Sequence, residues 1–372
     1  MPRAISRRAF LAALAAMGGL ALAGCQPADE FFSGTRTIRD SIDRVIEIPT
    51  PGKLSRVYFT SSLAQVFCLT MAPDLIGGTC TPFKADQLQF LPDGTDKLAN
   101  MGTLSGGGAI DVEALRASGV QVIFSISGTD LTDVNIEDAL ALQEKSGIPV
   151  VLIDGSFDRI AETYELLGDC LGRPERALEL AQYCASIYDR VTDAVARVPE
   201  SERVTYYFAE GEEGLLSEPD ISQHSLAFLA AGGVNVAAEV DPDEPGRRAG
   251  TLNNRNMVNV TLDEVRSWNP DFIITWDYEN RTGASHLIKS EADWADVRAV
   301  REGRVLTMPN LPFAFCDRPP GVNRFLGIQW LANLWYPDYY DVDMVDVVRE
   351  FYSTCYWRDI SVEQAKLVLS PE

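Results

Sequence analysis

Ile110 to Ser125 reads IDVEALRASGVQVIFS, and Val260 to Thr275 reads VTLDEVRSWNPDFIIT. The two segments align without a gap at an offset of 150, and nine of sixteen positions match in type. Among the matches are Glu113 with Asp263, Arg116 with Arg266, and Ile123 with Ile273. Each copy reads as a short helix feeding an apolar strand. A unit that occurs twice at this spacing predicts two related lobes. Around each copy, helix-like and fully apolar strand-like segments alternate, the pattern of a mainly parallel α/β sheet covered on both faces. Strands are expected at 45–48, 56–60, 75–77, 120–125 and 150–153 in the first lobe, and at 204–209, 272–276 and 304–308 in the second. Helices are expected at 61–71, 111–118 and 134–146, then at 222–231, 261–268, 291–301, 321–335 and 341–355.

Between the lobes the rhythm changes. Residues 157–171 read as a helix, and Gly172-Arg173-Pro174 interrupts it. Pro174 suits a new first turn. From Ala177 the apolar or small positions fall at Ala181, Cys184, Tyr188, Val191, Val195 and Val198, in steps of four and three. A helix over 174–198 would be about 37 Å long. The fold class is therefore α/β: two α/β lobes with mainly parallel sheets, joined by a long helix, with a ligand cleft between them. The expected divisions are a leader at 1–24, a tether at 25–36, an N-terminal lobe at 37–157, connecting helices at 158–198, and a C-terminal lobe with terminal helices at 199–372.

Charge and histidine content remove several function classes. The chain has 54 acidic and 32 basic residues, a net charge of −22. A nucleic-acid binder shows a basic footprint, which is missing here. The two histidines, His224 and His286, cannot form a three-histidine metal centre, so no metal site is expected. Gly106-Gly107-Gly108 is not followed by Lys-Ser/Thr, which leaves a cleft loop rather than a phosphate cradle.

The first 25 residues read as an address. Arg3, Arg7 and Arg8 precede an apolar run from Phe10 to Ala23, too short for a good membrane span. Ser6-Arg7-Arg8-Ala9-Phe10-Leu11 resembles a twin-arginine export motif. Leu22-Ala23-Gly24-Cys25 resembles a bacterial lipobox, which makes Cys25 the lipidation site. An ordinary secretory signal is the alternative. An acyl chain rather than the acidic surface would then hold the mature protein at the outer face of the cytoplasmic membrane, on the cell surface or in the periplasm. Six further cysteines, Cys68, Cys80, Cys170, Cys184, Cys316 and Cys355, read equally as buried free thiols or as disulfide partners.

Motifs spread over 37–357 carry a family resemblance. They are Thr37-Ile38-Arg39-Asp40 before a strand, Gly102-Thr103 before the helix at Asp111, and Leu171-Gly172-Arg173 with Arg176-Ala177 at the linker. Ala231-Gly232-Gly233-Val234-Asn235, Asn269-Pro270-Asp271 and Arg318-Pro319-Pro320-Gly321-Val322-Asn323-Arg324 complete the set. In this order the chain resembles a substrate-binding lipoprotein of an ABC importer. The class is the helical-backbone one that serves ferric siderophores, haem, cobalamin and, in some members, molybdate or tungstate. The resemblance implies a monomer that does no chemistry and has no cofactor. It would hold one ligand between two rigid lobes and deliver it to a permease with ATPase subunits. A ferric chelate is the first choice of ligand, with molybdate or tungstate, haem and cobalamin as alternatives.

The resemblance also implies that Glu113 and Asp263, one per lobe, dock on permease arginines. Otherwise they are solvated helix-start carboxylates, which the helix dipole favours anyway. Strand ends and the loops after them nominate ligand contacts. In the first lobe these are Thr60, Ser61, Phe83, Lys84, Thr103, Leu104 and Ser127. In the second they are Tyr207, Ser217, His224, Trp276, Arg318 and Arg324. Arg318 and Arg324 are expected to offer a planar fork to an anionic ligand on an otherwise acidic protein. Arg324 reads equally as a helix-face ion pair, and His224 equally as a helix cap. Phe313 and Phe315 either floor the cleft or belong to the core. The rival class is an exported α/β hydrolase using Ser222 or Ser225 with a histidine. No GxSxG elbow supports it.

Overall fold

The computed structural model describes residues 34–129, 131–249, 256–276 and 283–370. Cys25 and the leader lie outside the described residues. The chain divides into two compact units, each described here by itself. One holds the chain up to Ser186 together with Phe351–Asp359. The other holds Ile187–Glu350 and the chain from Ile360.

The first unit opens with an antiparallel hairpin, β1 (Thr35–Arg39) and β2 (Val45–Pro49), in which Ile38 pairs with Ile46. Its main sheet is three parallel strands in the order β3 (Val57–Phe59), β4 (Val122–Ser127) and β5 (Val150–Asp154). Their side chains are apolar on both faces because helices cover both. Val57, Phe59, Ile123, Phe124 and Val151 have no exposure.

The free edge of β5 is closed by the hairpin turn. Ser41 N donates to the Leu152 carbonyl at 3.0 Å, and the Asp40 carboxylate accepts from Leu152 N at 3.3 Å. Arg44 reaches the Val150 carbonyl at 2.8 Å. A buried edge strand is thus satisfied by the Ser41 backbone and the Asp40 and Arg44 side chains instead of another strand.

Helices α1 (Ser62–Met71), α2 (Val112–Ser118), α3 (Asp133–Ser146) and α4 (Ile160–Leu171) flank this sheet. α1 starts where Ser61 caps it, its hydroxyl accepting from Ala64 N at 3.2 Å. Residues 75–77, expected as a strand, make a single parallel bridge at Ile76. They follow a 3₁₀ turn over Pro73–Leu75, which leaves no room for a second pairing.

α5 (Pro174–Val195) realises the expected long helix, ending three residues early, and the division between the units falls inside it. α4, expected as part of a connector, packs within the first unit. The Tyr164 hydroxyl meets Thr70 Oγ1 at 3.1 Å.

The second unit has a four-stranded parallel sheet in the order β11–β10–β6–β8. Its strands are β6 (Thr205–Ala209), β8 (Val234–Asn235), β10 (Phe272–Thr275) and β11 (Val305–Thr307). A small antiparallel pair, β7 (Leu216–Ser217) with β9 (Val258–Asn259), lies beyond the end of β6. One core gathers Tyr207, Val265, Ile273, Trp294 and Val305. The helices of this unit include α6 (Leu226–Ala230), α7 (Leu262–Trp268), α8 (Gly283–Ser290) and α9 (Arg324–Trp335). The helix expected at 291–301 is broken into a 3₁₀ turn at Ala292–Trp294 and one turn at Arg298–Arg301. α10 (Met344–Tyr356) and an unanticipated α11 (Val362–Leu369) follow.

Phe351–Asp359 belongs to the first unit. Tyr352 stacks edge-on against Phe90 with ring centroids 5.5 Å apart. Arg358 donates to the Leu91 carbonyl and pairs with Asp93 at 2.7 Å. Arg176 reaches the Thr354 carbonyl and lies 4.0 Å from the Trp357 ring centroid.

The six described cysteines are all buried and unbridged. Burial raises the thiol pKa values of Cys68, Cys80, Cys170, Cys184 and Cys316, to about 12 for Cys80 and Cys170, so these are chemically quiet. No described helix is long and apolar enough to cross a membrane.

Candidate functional site

The repeated segments adopt one architecture twice. α2 starts at Asp111, whose carboxylate accepts from Ala114 N at 2.9 Å, and ends at Gly119 with φ +76°. α7 starts at Thr261, paired with Glu264 in a capping box, and ends at Asn269 with φ +48°. Glycine and asparagine tolerate this left-handed C-cap. Glu113 and Asp263 stand in the first turn of these helices, with side chains 84% and 89% exposed. Each pairs with the arginine three residues on, Arg116 at 2.7 Å and Arg266 at 3.0 Å. Each arginine is also held by backbone carbonyls, Arg116 by Ser146 at 3.1 Å and Arg266 by Asp293 at 3.0 Å.

At the carboxyl edge of the first sheet the nominated residues form a network of hydroxyls and backbone. Thr60 follows β3, and its Oγ1 donates to Ser125 Oγ at 3.1 Å. The Thr60 carbonyl accepts from Thr103 Oγ1 and from Leu104 N, both at 2.9 Å. Ser127 Oγ lies 3.4 Å from Thr129 Oγ1. Beside them, Asp154 at the end of β5 pairs with Arg159 at 2.7 Å. Phe83 is half-buried, and Lys84 is exposed at the start of a one-turn helix.

The carboxyl edge of the second sheet is ionic. Glu210 follows β6, Trp276 follows β10, and Asp317 and Arg318 come from the loop after β11. Arg318 Nε donates to Glu210 Oε1 at 2.8 Å, and Nη2 to Glu210 Oε2 at 3.0 Å. Nη2 also meets Glu218 Oε1 at 3.0 Å, and Asp317 Oδ2 is 3.7 Å from Nε. The guanidinium carbon lies 4.8 Å from the Trp276 ring centroid, a cation–π arrangement. Arg318 has φ +61°, an uncommon backbone for a residue with a Cβ. Its loop lies tight on α9 because Gly327 has no side chain. A Cβ there would meet the Phe315 carbonyl oxygen at 2.5 Å.

Asp317 is wholly buried. It takes His224 Nδ1 at 2.5 Å on Oδ2 and Arg324 Nη2 at 3.4 Å on Oδ1. Burial pushes its pKa up, but the His224, Arg318 and Arg324 charges outweigh this and hold it below the usual range. Glu210 goes the other way. Burial dominates over Arg318, and with Glu218 and Asp317 beside it the carboxyl is raised to about 8. Arg318 is raised above its ordinary value, because its carboxylate neighbours, Glu210 first, overcome the opposing effect of burial.

These placements revise several expectations. Tyr207 is a core residue, fully buried, with its hydroxyl donating to the Gly214 carbonyl at 2.8 Å. β6 is buried on both of its faces, so Tyr207, beside Ile273, has no way outward. Arg324 has no exposure and anchors Asp317 and the Gln223 carbonyl, so it fixes the loop from inside. Ser217 is likewise fully buried. Phe313 and Phe315 are buried with the core. Arg318 is not an unpaired cation, since Nε and Nη2 are committed to carboxylates of its own unit. His224 is bound to Asp317, not merely capping a helix; its Nδ1 contact ties the loop after β7 to the loop after β11.

Glu210, Glu218 and Asp317 were not foreseen. Glu210 is the first residue past the apolar strand that nominated Tyr207. The strand-end rule, taken one position beyond the strand, would have found it. Among the described residues no cluster of three or more His, Cys, Asp or Glu is arranged to hold a metal ion.

Residues 96–311 match the family model described as periplasmic binding protein. No curated protein matches the chain in sequence. Among solved structures it is similar to an ABC transporter solute binding protein from Sulfurospirillum deleyianum, at 26% identity and a TM-score of 0.77, covering 90% of this chain and 98% of that one. A periplasmic solute binding protein from Veillonella parvula shares the fold at 19% identity and a TM-score of 0.72, covering 90% and 96%. The molybdate periplasmic binding protein of Haemophilus influenzae shares it at 21% identity and a TM-score of 0.65, covering 88% and 99%. These are transport components that bind solutes and are not enzymes. The repeated helix–strand unit, the two parallel sheets and the long helix are this architecture, and the chain belongs to the periplasmic binding protein family.

Proposed function

We propose that the protein captures a metal chelate, with a ferric siderophore as first choice, and passes it to an ABC permease. The observation that carries the delivery half is the pair Glu113 and Asp263. Each projects from the first turn of an equivalent helix, each is exposed, and each is held by an arginine three residues on. Equivalent acidic points on two units suit a partner that presents two cations. The capture half is supported by the carboxyl edges of the two parallel sheets, where α/β sheets take ligands. Thr60, Ser61, Thr103 and Ser127 serve one edge; Trp276, Arg318 and His224 serve the other.

Glu113→Arg with Asp263→Arg should abolish uptake and leave ligand affinity nearly unchanged. A large rise in dissociation constant would remove the docking role. Native mass spectrometry of unstripped protein, with elemental analysis for iron, molybdenum, tungsten and cobalt, tests the ligand. Recovery of molybdenum or tungsten without iron would replace the ferric reading with the oxyanion one. The lipobox-like Leu22-Ala23-Gly24-Cys25 supports anchoring through Cys25 after export. Cys25→Ser should release the protein from washed membranes; quantitative retention would overturn the anchor.

A further inference from the structure

We propose that Glu210 and Glu218 set the charge class of the ligand: by clamping Arg318 they make this edge reject free anions and accept a neutral or cationic metal chelate, of the ferric trihydroxamate type. This rests on the reading of the protein as a chelate-capturing one.

The argument is an account of charge at one place. Arg318 is the guanidinium beside Trp276 at the carboxyl edge, with its side chain 18% exposed. Two of its three nitrogens are spent on Glu210 and Glu218, and Asp317 stands 3.7 Å away. The second guanidinium, Arg324, is fully buried against the other oxygen of Asp317. Among the described residues of this cluster, three carboxylates therefore face two guanidiniums. When Glu210 holds a proton, Glu218 and Asp317 still balance both guanidiniums. No guanidinium is left over for an oxyanion, and the His224 ring is itself spent on Asp317 through Nδ1.

The rest of the molecule pushes the same way. A chain with a net charge of −22 repels anions at long range. What Arg318 still offers is Nη1, which makes no hydrogen bond among the described residues, and the flat surface it shares with Trp276. One N–H donor beside an aromatic face suits a neutral carbonyl or hydroxamate oxygen. It gives no bidentate grip on a dianion, which needs the fork that Glu210 occupies. The carboxylates also favour a chelate carrying an ammonium group.

The probes are sodium molybdate, a dianion; a ferric tricatecholate, a trianion; and ferrioxamine B, a cationic ferric trihydroxamate. Calorimetric titration of the mature wild-type protein should show ferrioxamine B binding at least roughly a hundredfold tighter than molybdate or the tricatecholate, a gap of about 2.7 kcal/mol. In Glu218→Gln, and more strongly in Glu210→Gln with Glu218→Gln, molybdate binding should gain at least roughly tenfold while ferrioxamine B binding falls, as expected when like charge is removed from a recognition site. The single, nearly isosteric variant serves if the double variant does not fold, and the wild-type ranking needs no variant.

Equal or tighter binding of molybdate or the tricatecholate by wild type overturns the charge rule and leaves solute capture standing. Unchanged selectivity in Glu218→Gln overturns the assignment to these carboxylates. If wild type binds none of the three but the variants acquire molybdate, the charge rule stands and the ferric-chelate reading falls. If no form binds any probe, both fall.

Discussion

The carboxyl edges of the two sheets are built on the same repeated unit and hold opposite chemistry. In the first unit the strand ends are joined by hydroxyls and carbonyls, with Thr60 at the centre and one ion pair, Asp154–Arg159, to the side. In the second unit the same places carry Glu210, Trp276, Asp317 and Arg318 in a buried charge cluster. What the repeat preserves is the caps, the first-turn carboxylate, the arginine after it and the strand. The residues just past the strands are free to diverge. The scaffold is thus shared while the side-chain chemistry at the strand ends belongs to each unit alone.

The contrast can be broken by substitution. Arg318→Ala should have the largest effect. It strands Glu210 and Glu218 as buried carboxylates, and breaking a buried pair in this way costs about 3–5 kcal/mol. Chemical denaturation without ligand measures it, and a change under 1 kcal/mol would show that the cluster is well solvated. This differs from the expectation drawn from sequence, in which Arg318 offers its fork to an anionic ligand instead of to carboxylates of its own unit.

Gly327→Ala comes next. The added methyl meets backbone of Phe315 and Cys316, and overpacking of this kind costs about 1–3 kcal/mol. It should also displace Asp317 and Arg318, which a weakened His224–Asp317 contact would report in the imidazole NMR signals. Unchanged imidazole signals would separate this helix contact from the site.

A graded effect follows from pH. Glu210 is held at about 8 against an ordinary 4.5. Between these values the folded protein keeps a proton that the unfolded chain has released. The stabilising contribution is full below pH 4.5 and is lost as pH rises through about 8. Apo melting temperature should therefore decline from pH 5 to pH 8, and Glu210→Gln should flatten that slope. An identical slope in the variant would assign it to other groups. Thr60→Val should be the mildest change, about 1 kcal/mol for one neutral hydrogen bond. A loss as large as that of Arg318→Ala would erase the distinction between the two edges.

Much of this architecture is legible in sequence because burial on both faces leaves uninterrupted apolar strands, and because caps are local. Thr261 with Glu264, Asp111, Gly119 and Asn269 announce both repeated helices. Trp276 and Arg318 are nominated from a strand end and from a loop after a strand. Other features depend on contacts distant in sequence. Glu210 and Glu218 are unremarkable acids among 54 until the chain brings Arg318, about 100 residues later, between them. Arg324 reads as a helix-face arginine, and only the packing of α9 shows that it has no exposure. Tyr207 is nominated by its strand, but β6 is buried on both faces, so neither face opens outward there.

The return of Phe351–Asp359 to the first unit sets an order of assembly. Tyr352 packs against Phe90, and Arg358 reaches Leu91 and Asp93. The segment that supplies these contacts is synthesised only after Ile187–Glu350 of the other unit. The first unit therefore waits, with part of its core open, until that stretch of the second has been made. A nascent chain stalled at residue 340 would hold a first unit lacking one wall, exposed to chaperones and proteases. The unit begun first is thus the one whose last wall arrives only after most of the other unit has been made.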